Sequence, residues 1–307
     1  MNAQVLDAIK KSAAVPSVPQ VVTRFLQIMQ DPNFEYSDMV KVLSADPGTV
    51  SEILRLANSA LFGLRQKVVS LRQALTLLGP KRTRSLLLGR YLVDAVSRKR
   101  VDGLDMSYFW RRSLSSSVVA SRFADIVIPR KRDEVFISAL LADIGIPILA
   151  EAVPDQYRTI AARFAPHARC ATAADELQAI DATHAQVSAM VLAHWSLPEV
   201  LVRAVNLHQC DEPGDDDAGG IARLLNAADR IAKLLCEVSS VDEVASVCTA
   251  ATAFAGVDLQ TLADILPTIE RDIEELADAL RIDVIPSEIY AVIARTVREH
   301  IGDPKPA

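Results

Sequence analysis

The sequence predicts an all-α protein, and two observations support that prediction. Glycine is scarce, at 11 of 307 residues, whereas alanine and leucine are abundant throughout, and this composition favours helices over sheets. Apolar residues also recur at helical spacing between clear start and stop signals. Half of the residues are hydrophobic and 23% are charged, which is typical of a globular chain that can bury a sizeable core.

Start and stop signals in the first hundred residues justify a series of helices. Asp46-Pro47 is a helix cap followed by proline at the first helical position, so a helix is predicted from there towards Gly63. Ser70 with Gln73 fits a capping box, and Gly79-Pro80 should end the short helix that follows. A new helix is predicted after this break.

The middle of the chain continues the helical pattern. Its only acidic, glycine-rich stretch is 211–220, for which we predict an exposed loop. The polar segment 98–105 is the best candidate for a boundary between two subdomains. Four segments carry apolar residues at helical spacing and are predicted helices: 81–96, 107–124, 134–150 and 184–195.

A heptad pattern marks the C-terminal part. Seven apolar residues are spaced alternately three and four apart. They are Leu259, Leu262, Leu266, Ile269, Ile273, Leu276 and Leu280. This seam is either an amphipathic face packed on the protein's own core or a dimer contact. Pro267 interrupts the seam, and therefore two shorter helices are expected rather than one coiled coil.

The chain has the features of a cytoplasmic protein. Its N-terminus lacks the basic start and apolar run of a signal peptide, and no uncharged apolar stretch approaches the ~20 residues that span a membrane. Four widely spaced cysteines, without a Cys-x-x-Cys motif, are expected to be free thiols rather than disulfides or zinc ligands. They are Cys170, Cys210, Cys236 and Cys248.

The net charge of −6 conceals two oppositely charged halves. Residues 1–132 hold 21 Lys and Arg against 10 Asp and Glu, whereas the remaining residues hold 12 against 29. The basic half could bind nucleic acid or a cyclic dinucleotide, or its charges could be solvated helix ends. The clusters concerned are 81–84, 98–100 and 130–132.

Several motifs in the N-terminal two thirds resemble the HD-related output domain, HDOD. Their order and spacing match over a module of residues 13–210. The motifs are Pro19-Gln20-Val21-Val22, Ser44-Ala45-Asp46-Pro47, LRLANSALF at 54–62 and SLRQALTLLG at 70–79.

The resemblance implies a domain organisation. An N-terminal helical subdomain, about 13–100, should pack on a helical bundle like that of the HD phosphohydrolases, about 101–235. Residues 236–307 are expected to form a helical extension packed on the bundle.

The resemblance also implies where metal ligands of the HD phosphohydrolases would lie. Four of the implied positions retain a ligand, at Asp143, His184, His208 and, by a looser match, Asp229. Two do not, because Arg112 stands in place of the first histidine and Ala142 in place of the histidine of the His-Asp pair. Alanine offers no lone pair, and a guanidinium repels a cation. We therefore expect no metal, no other cofactor and no enzymatic activity.

Arg112 is expected to replace the metal by charge. Its guanidinium should lie within salt-bridge reach of Asp143, with Asp229 as a second partner, because an unpaired buried carboxylate costs several kcal/mol. The alternative is that Arg112 extends to solvent and Asp143 caps a helix or bonds a nearby histidine.

The functional interpretation is a non-catalytic bacterial signal-transduction protein that acts by binding another signalling protein. The alternative from the enzyme class is a metal-dependent phosphodiesterase with a rebuilt site. No Ser-His-Asp arrangement and no phosphate-binding P-loop motif supports other hydrolytic chemistry.

Overall fold

A computed structural model describes residues 3–12, 15–31, 33–58, 67–97, 101–237, 239–280 and 289–302. All regular structure within these ranges is helical, so the all-α prediction is confirmed. The basic cluster at 98–100, Gly63 and the end of the LRLANSALF motif lie outside the described residues.

Five helices precede the predicted boundary at 98–105, and we call them the N-terminal subdomain; the last of them, α5, is bent in its middle. They are α1 (Ala3–Lys11), α2 (Gln20–Gln30), α3 (Tyr36–Ser44), α4 (Pro47–Ala57) and α5 (Leu71–Ser97). Asp46 caps α4 as predicted, since its carboxylate accepts the Gly48 N–H at 3.0 Å and the Thr49 hydroxyl at 2.6 Å. The bend in α5 lies at Gly79, where φ is 74° and ψ 165°, which agrees with the predicted helix end.

Eight helices form the bundle, and a 3-10 turn at Pro129–Lys131 precedes the second of them. They are α6 (Met106–Val127), α7 (Arg132–Leu141), α8 (Gly145–Ala152), α9 (Pro154–Ala161), α10 (Ala173–Ile180), α11 (His184–His194), α12 (Glu199–Leu207) and α13 (Asp217–Cys236). The predicted helix 134–150 is thus two helices separated by a turn. The predicted loop 211–220 is shorter than expected, because Asp216 caps α13 by accepting the Gly219 N–H at 2.9 Å.

The centre of the bundle is α6, which packs against α13 and α7. Small side chains let these helices approach closely, and the buried serines of α6 satisfy their hydroxyls on the helix's own carbonyls. Ser113, for example, donates to the Phe109 carbonyl at 3.0 Å and Ser117 to that of Leu114 at 2.8 Å. The bundle is also tied to the N-terminal segment, because buried Trp195 donates from Nε1 to the Pro16 carbonyl at 2.9 Å.

Three C-terminal helices, α14 (Val241–Ala255), α15 (Leu259–Leu280) and α16 (Ile289–Gly302), complete the fold. The heptad residues Leu262, Leu266 and Ile269 are buried within the chain, and α15 contacts both α6 and α4. This seam therefore packs on the protein's own core. The expected interruption at Pro267 is wrong: α15 continues through it, since the loss of one exposed backbone bond is outweighed by the buried residues on either side.

One stretch, Pro129–Ala152, is long and apolar enough to cross a membrane by length and composition, and 83% of its most apolar window is buried inside the fold. Its hydropathy follows from its place in the core, as α7 and α8. All four cysteines are free, in agreement with the prediction.

Gly79 and Gly220 allow a matched test of the bend. Gly79→Ala should lower the free energy of unfolding by about 1–3 kcal/mol, because the Gly79 backbone lies in a region that residues with a side chain rarely adopt. Gly220→Ala should raise it by about 0.5 kcal/mol, because alanine is the better helix former and a Cβ at this position in α13 meets no atom within 4 Å. Urea denaturation of both variants measures the difference, and two changes of the same sign would contradict this account of the bend.

Candidate functional site

The predicted site begins at a turn between α7 and α8 that presents Asp143. Its geometry depends on Gly145, because a Cβ there would lie 2.2 Å from the His184 carbonyl oxygen. The Gly145 N–H also donates to Ser188 Oγ at 2.8 Å. Glycine thus lets the start of α8 lie against α11, and this contact brings Asp143 next to His184.

His184 is the first residue of α11 and is almost fully buried. A capping box of Thr183 and Gln186 starts the helix here. Glu176, on α10, accepts the His184 backbone N–H at 3.0 Å and lies 2.9 Å from its Nδ1. Because the carboxylate binds Nδ1, the other ring nitrogen of His184 is directed towards Asp143.

His208 is the residue that caps the C-terminus of α12, and it is also buried. Its Nδ1 lies 2.6 Å from the Val205 carbonyl oxygen, and because a carbonyl can only accept, Nδ1 is the donor. Asn226 of α13 donates to the His208 carbonyl at 2.9 Å. These contacts fix the ring and leave Nε2 facing the centre of the bundle.

Both histidines meet at one carboxylate oxygen. Asp143 Oδ1 lies 3.2 Å from His184 Nε2 and 3.3 Å from His208 Nε2. Neither contact has good hydrogen-bond geometry. The two imidazoles and the carboxylate form a group whose potential ligand atoms all lie within 4.8 Å of one another. The structure thus brings together three of the four ligand-type residues identified from the sequence.

The fourth, Asp229 of α13, is bound by Arg112 of α6. Arg112 Nε lies 2.8 Å from Asp229 Oδ1 and Nη2 lies 2.7 Å from Oδ2, a two-pronged pair with the guanidinium buried. The expectation of a salt bridge to Asp143 is wrong. Asp143 is already held by two histidines, whereas Asp229 offers both oxygens to the planar fork of the guanidinium.

Ala142 ends α7 and is buried, so it contributes a methyl group where the resemblance implies an imidazole. A divalent cation would find three donors at Asp143, His184 and His208 and would be repelled by Arg112. Three protein ligands can hold a catalytic metal in other proteins, but this set lacks two of the ligands that the resemblance implies, since Arg112 and Ala142 stand in their places.

Burial and neighbouring charges have opposite effects on the pKa values of the ionisable groups in this site. Burial lowers the pKa of His184, but the negative charges of Glu176 and Asp143 outweigh it and raise the pKa to about 10. Burial would raise the pKa of Asp143, yet the two histidines hold it well below its usual value. Burial likewise lowers the pKa of Arg112, and Asp229 more than reverses this effect. His184 and Arg112 are therefore internal cations among buried carboxylates.

Two residues of this site, Glu176 and Tyr157, were not identified from the sequence. Glu176 is completely buried, and the Tyr157 hydroxyl donates a hydrogen bond to it. The only sequence signal is that Glu176 is an acidic residue on the buried face of a short helix. That signal is weak when the side chain that pairs with Glu176 is unknown. We call Arg112, Asp143, Glu176, His184, His208 and Asp229 the buried charge network.

Comparison with known proteins agrees with this arrangement. A family model described as the HDOD domain matches residues 15–210, more than half of the chain. The chain belongs to the HDOD family. The predicted module boundaries, 13–210, differ from the matched range by two residues at the start.

Solved structures share the fold of this HDOD protein. A protein of Shewanella amazonensis SB2B, provisionally named a phosphohydrolase, is 23% identical with a TM-score of 0.70, and the match covers 91% of this chain and 98% of that one. An HDOD domain protein of unknown function from Geobacter sulfurreducens is 18% identical with a TM-score of 0.68, covering 90% and 97%.

A curated relative extends beyond the matched module. It is an uncharacterised protein of Treponema pallidum (strain Nichols), 23% identical over 198 residues. The match covers 63% of this HDOD chain and only 38% of the relative. The chain therefore spans well under half of that relative's length.

The Arg112–Asp229 pair should be a major structural contact. Asp229→Leu alone should lower the free energy of unfolding by about 3–5 kcal/mol, because it leaves the buried guanidinium without a partner. The double variant Arg112→Met with Asp229→Leu should lose clearly less. Chemical denaturation measures both. If Asp229→Leu lowers the free energy of unfolding by less than about 1 kcal/mol, the guanidinium of Arg112 is hydrated once Asp229 is removed, and the pair is not a major structural contact.

The protonation of His184 should make stability depend on pH. Its pKa in the folded state, about 10, is above the 6.5 of an ordinary histidine. The stabilisation is therefore complete below about pH 6.5 and is lost as pH rises towards 10. Between about pH 7 and pH 9 the free energy of unfolding should fall more steeply in the wild type than in His184→Gln, by about 1 kcal/mol per pH unit. Urea denaturation at several pH values measures the two slopes. Equal slopes of the free energy of unfolding against pH in the two proteins would refute a protonated His184.

Proposed function

We propose that this HDOD protein is a non-catalytic signalling module that acts through binding to another protein. The observation that carries the proposal is the pairing of Arg112 with Asp229, at 2.7 Å and 2.8 Å, in the place where the parent enzymes need a metal ligand. Together with Ala142, it removes two of the expected donors. A bacterial, cytoplasmic protein is consistent with the family and with the reduced cysteines.

Electrostatics support this proposal independently of the ligand count. His184 holds a proton between Glu176 and Asp143, so a cation at Asp143 would have to displace that proton and approach the guanidinium of Arg112. Two internal cations, His184 and Arg112, already offset most of the charge of the three carboxylates without a metal. The network is suited to holding α6, α7, α11 and α13 in a fixed relation, which a signalling scaffold requires.

The enzyme alternative rests on the three remaining donors. His184 Nε2 and His208 Nε2 are buried without a well-directed hydrogen bond, and each ring is fixed through its Nδ1 in the way that metal-binding histidines are fixed. A solved structure with the same fold bears the provisional name of phosphohydrolase. We favour the non-catalytic function because Arg112 and Ala142 stand at two of the implied ligand positions, and because the guanidinium of Arg112 opposes a divalent cation at the remaining donors.

A broad nucleic-acid surface receives less support. Within the described residues, the basic cluster at 130–132 is largely neutralised, because Lys131 pairs with Asp217 and Arg132 with Asp125. Paired cations release few counterions when they meet a phosphate backbone, and therefore contribute little affinity.

A phosphodiesterase assay with bis-(p-nitrophenyl) phosphate and added manganese tests the absence of catalysis. We expect no turnover above the buffer rate and no stoichiometric metal in the purified protein. The double variant Arg112→His with Ala142→His, which supplies both missing donors, is the matched control and should take up more metal than the wild type. Manganese-dependent turnover by the wild type that disappears in His184→Ala would overturn the proposal.

A binding experiment tests whether the chain has a protein partner. The full chain, immobilised through a terminal tag, should retain a defined protein from a lysate of its source organism, and the complex should be reproduced with both purified proteins. The Asp229→Leu variant tests whether binding needs the intact network. If no purified protein binds the chain, its action through a protein partner is refuted.

A further inference from the structure

A cleft of about 620 Å³ lies where α5 of the N-terminal subdomain meets the start of α7 of the bundle. None of its lining residues belongs to the buried charge network. Three arginines line it, namely Arg82, Arg84 and Arg130. The first two come from the start of the second half of α5, and the third from the 3-10 turn before α7. The fold thus joins two basic clusters that are far apart in the sequence.

The three arginines differ in how they are paired. Arg82 forms an ion pair with Asp133 across the subdomain boundary. Arg84 is influenced by the charge of Glu134, but neither Arg84 nor Arg130 forms an ion pair within 4.0 Å with a residue that the structure describes. Nε of Arg84 is buried and lacks a hydrogen-bond partner there. Two cations of the cleft therefore have unused donors.

The unused donors make the cleft a favourable place for an anion. Burial lowers the pKa of Arg84, which shows that its cation is poorly solvated where it lies. A planar guanidinium with free N–H groups matches the oxygens of a phosphate and can bind two of them at once. An anion in the cleft would restore the solvation that Arg84 has lost.

The bend at Gly79 adds to this positive character. Gly79 has a non-helical backbone, so the second half of α5 starts as a new helix at Pro80, and both residues line the cleft. The N-terminal end of a helix carries a partial positive charge and unpaired amides. Leu77, at 48% exposure, and Pro198 give the same cleft an apolar wall.

We propose that this cleft binds a phosphorylated small molecule of the nucleotide class. Arg84 and Arg130 bind the phosphate, and the base lies against Leu77 and Pro198. The volume is within the range of small-molecule sites, about 300–1,000 Å³. Asp133 is neutralised by Arg82, whereas Glu134 opposes an anion and can accept hydrogen bonds from the hydroxyl or amino groups of a nucleotide.

A small ligand fits these observations better than a nucleic-acid chain. Among the residues that the structure describes, the cations beside the cleft, Lys131 and Arg132, are paired with carboxylates, so they contribute little to binding a continuous phosphate backbone. A bound nucleotide would bridge α5 and α7, and α7 ends at the turn that carries Asp143. Nucleotide binding would thereby act as an input signal for the module. This inference holds whether or not the buried charge network is catalytic.

Isothermal titration calorimetry of the full chain with GTP, ATP and pyrophosphate tests the proposal. At least one nucleotide should bind more tightly than pyrophosphate, because only a nucleotide contacts the apolar wall. Arg84→Gln and Arg130→Gln should each weaken nucleotide binding about tenfold or more, as expected for the loss of charged hydrogen bonds. Glu134→Gln should tighten pyrophosphate binding, since it removes a repelling charge. Arg24→Gln, an equal loss of charge on α2 outside the cleft, should change nothing.

Several results would overturn the proposal. The first is the absence of binding by all three probes at millimolar concentration. The second is a nucleotide affinity that is unchanged in both Arg84→Gln and Arg130→Gln. The third is an equal loss of nucleotide affinity in Arg24→Gln, which would indicate a general attraction to the protein surface. Pyrophosphate binding as tight as that of both nucleotides would refute the role of the apolar wall. Arg130 is exposed, so its variant should unfold at the wild-type temperature and keeps the test valid if Arg84→Gln does not fold.

Discussion

The neutralisation of buried carboxylates is the constraint on which the centre of this fold depends. Glu176 is completely buried and the side chains of Asp143 and Asp229 are partly buried, and an unpaired charge inside a protein costs several kcal/mol. The counter-charges come from the chain itself, as the guanidinium of Arg112 and the imidazolium of His184. Side chains of the fold thus offset most of the negative charge of these three carboxylates.

This internal balance has structural consequences. The pair of Arg112 with Asp229 joins α6 to α13, and Asp143 connects the α7–α8 turn to both α11 and α12 through two histidines. The helices concerned are therefore linked at one buried point. Gly145 is needed for the same reason, because any larger residue would separate the Asp143 turn from the backbone of His184. These contacts hold the helices of this HDOD module together at its centre.

The proposed nucleotide cleft is separate from the buried charge network. It lies on the boundary of the two subdomains, and Arg82 and Asp133 already pair across that boundary. A ligand that binds Arg84 and Arg130 would add contacts at the same boundary and favour the arrangement in which α5 and α7 are close. The shift it produces can be no larger than the difference in its affinity for the two arrangements.

The sequence by itself determined the helical class, the family and most helix boundaries, because caps, proline positions and helical periodicity are local signals. It also identified the six implied ligand positions, of which Asp143, His184 and His208 converge. Tertiary structure alone decided that Arg112 pairs with Asp229 rather than with Asp143, and that Glu176 completes the network. The physical reason is that partners in a buried charge network are chosen by distances between helices distant in sequence, and those distances follow from packing of the whole core. The continuation of α15 through Pro267 has the same origin, since burial on both sides outweighs a local signal.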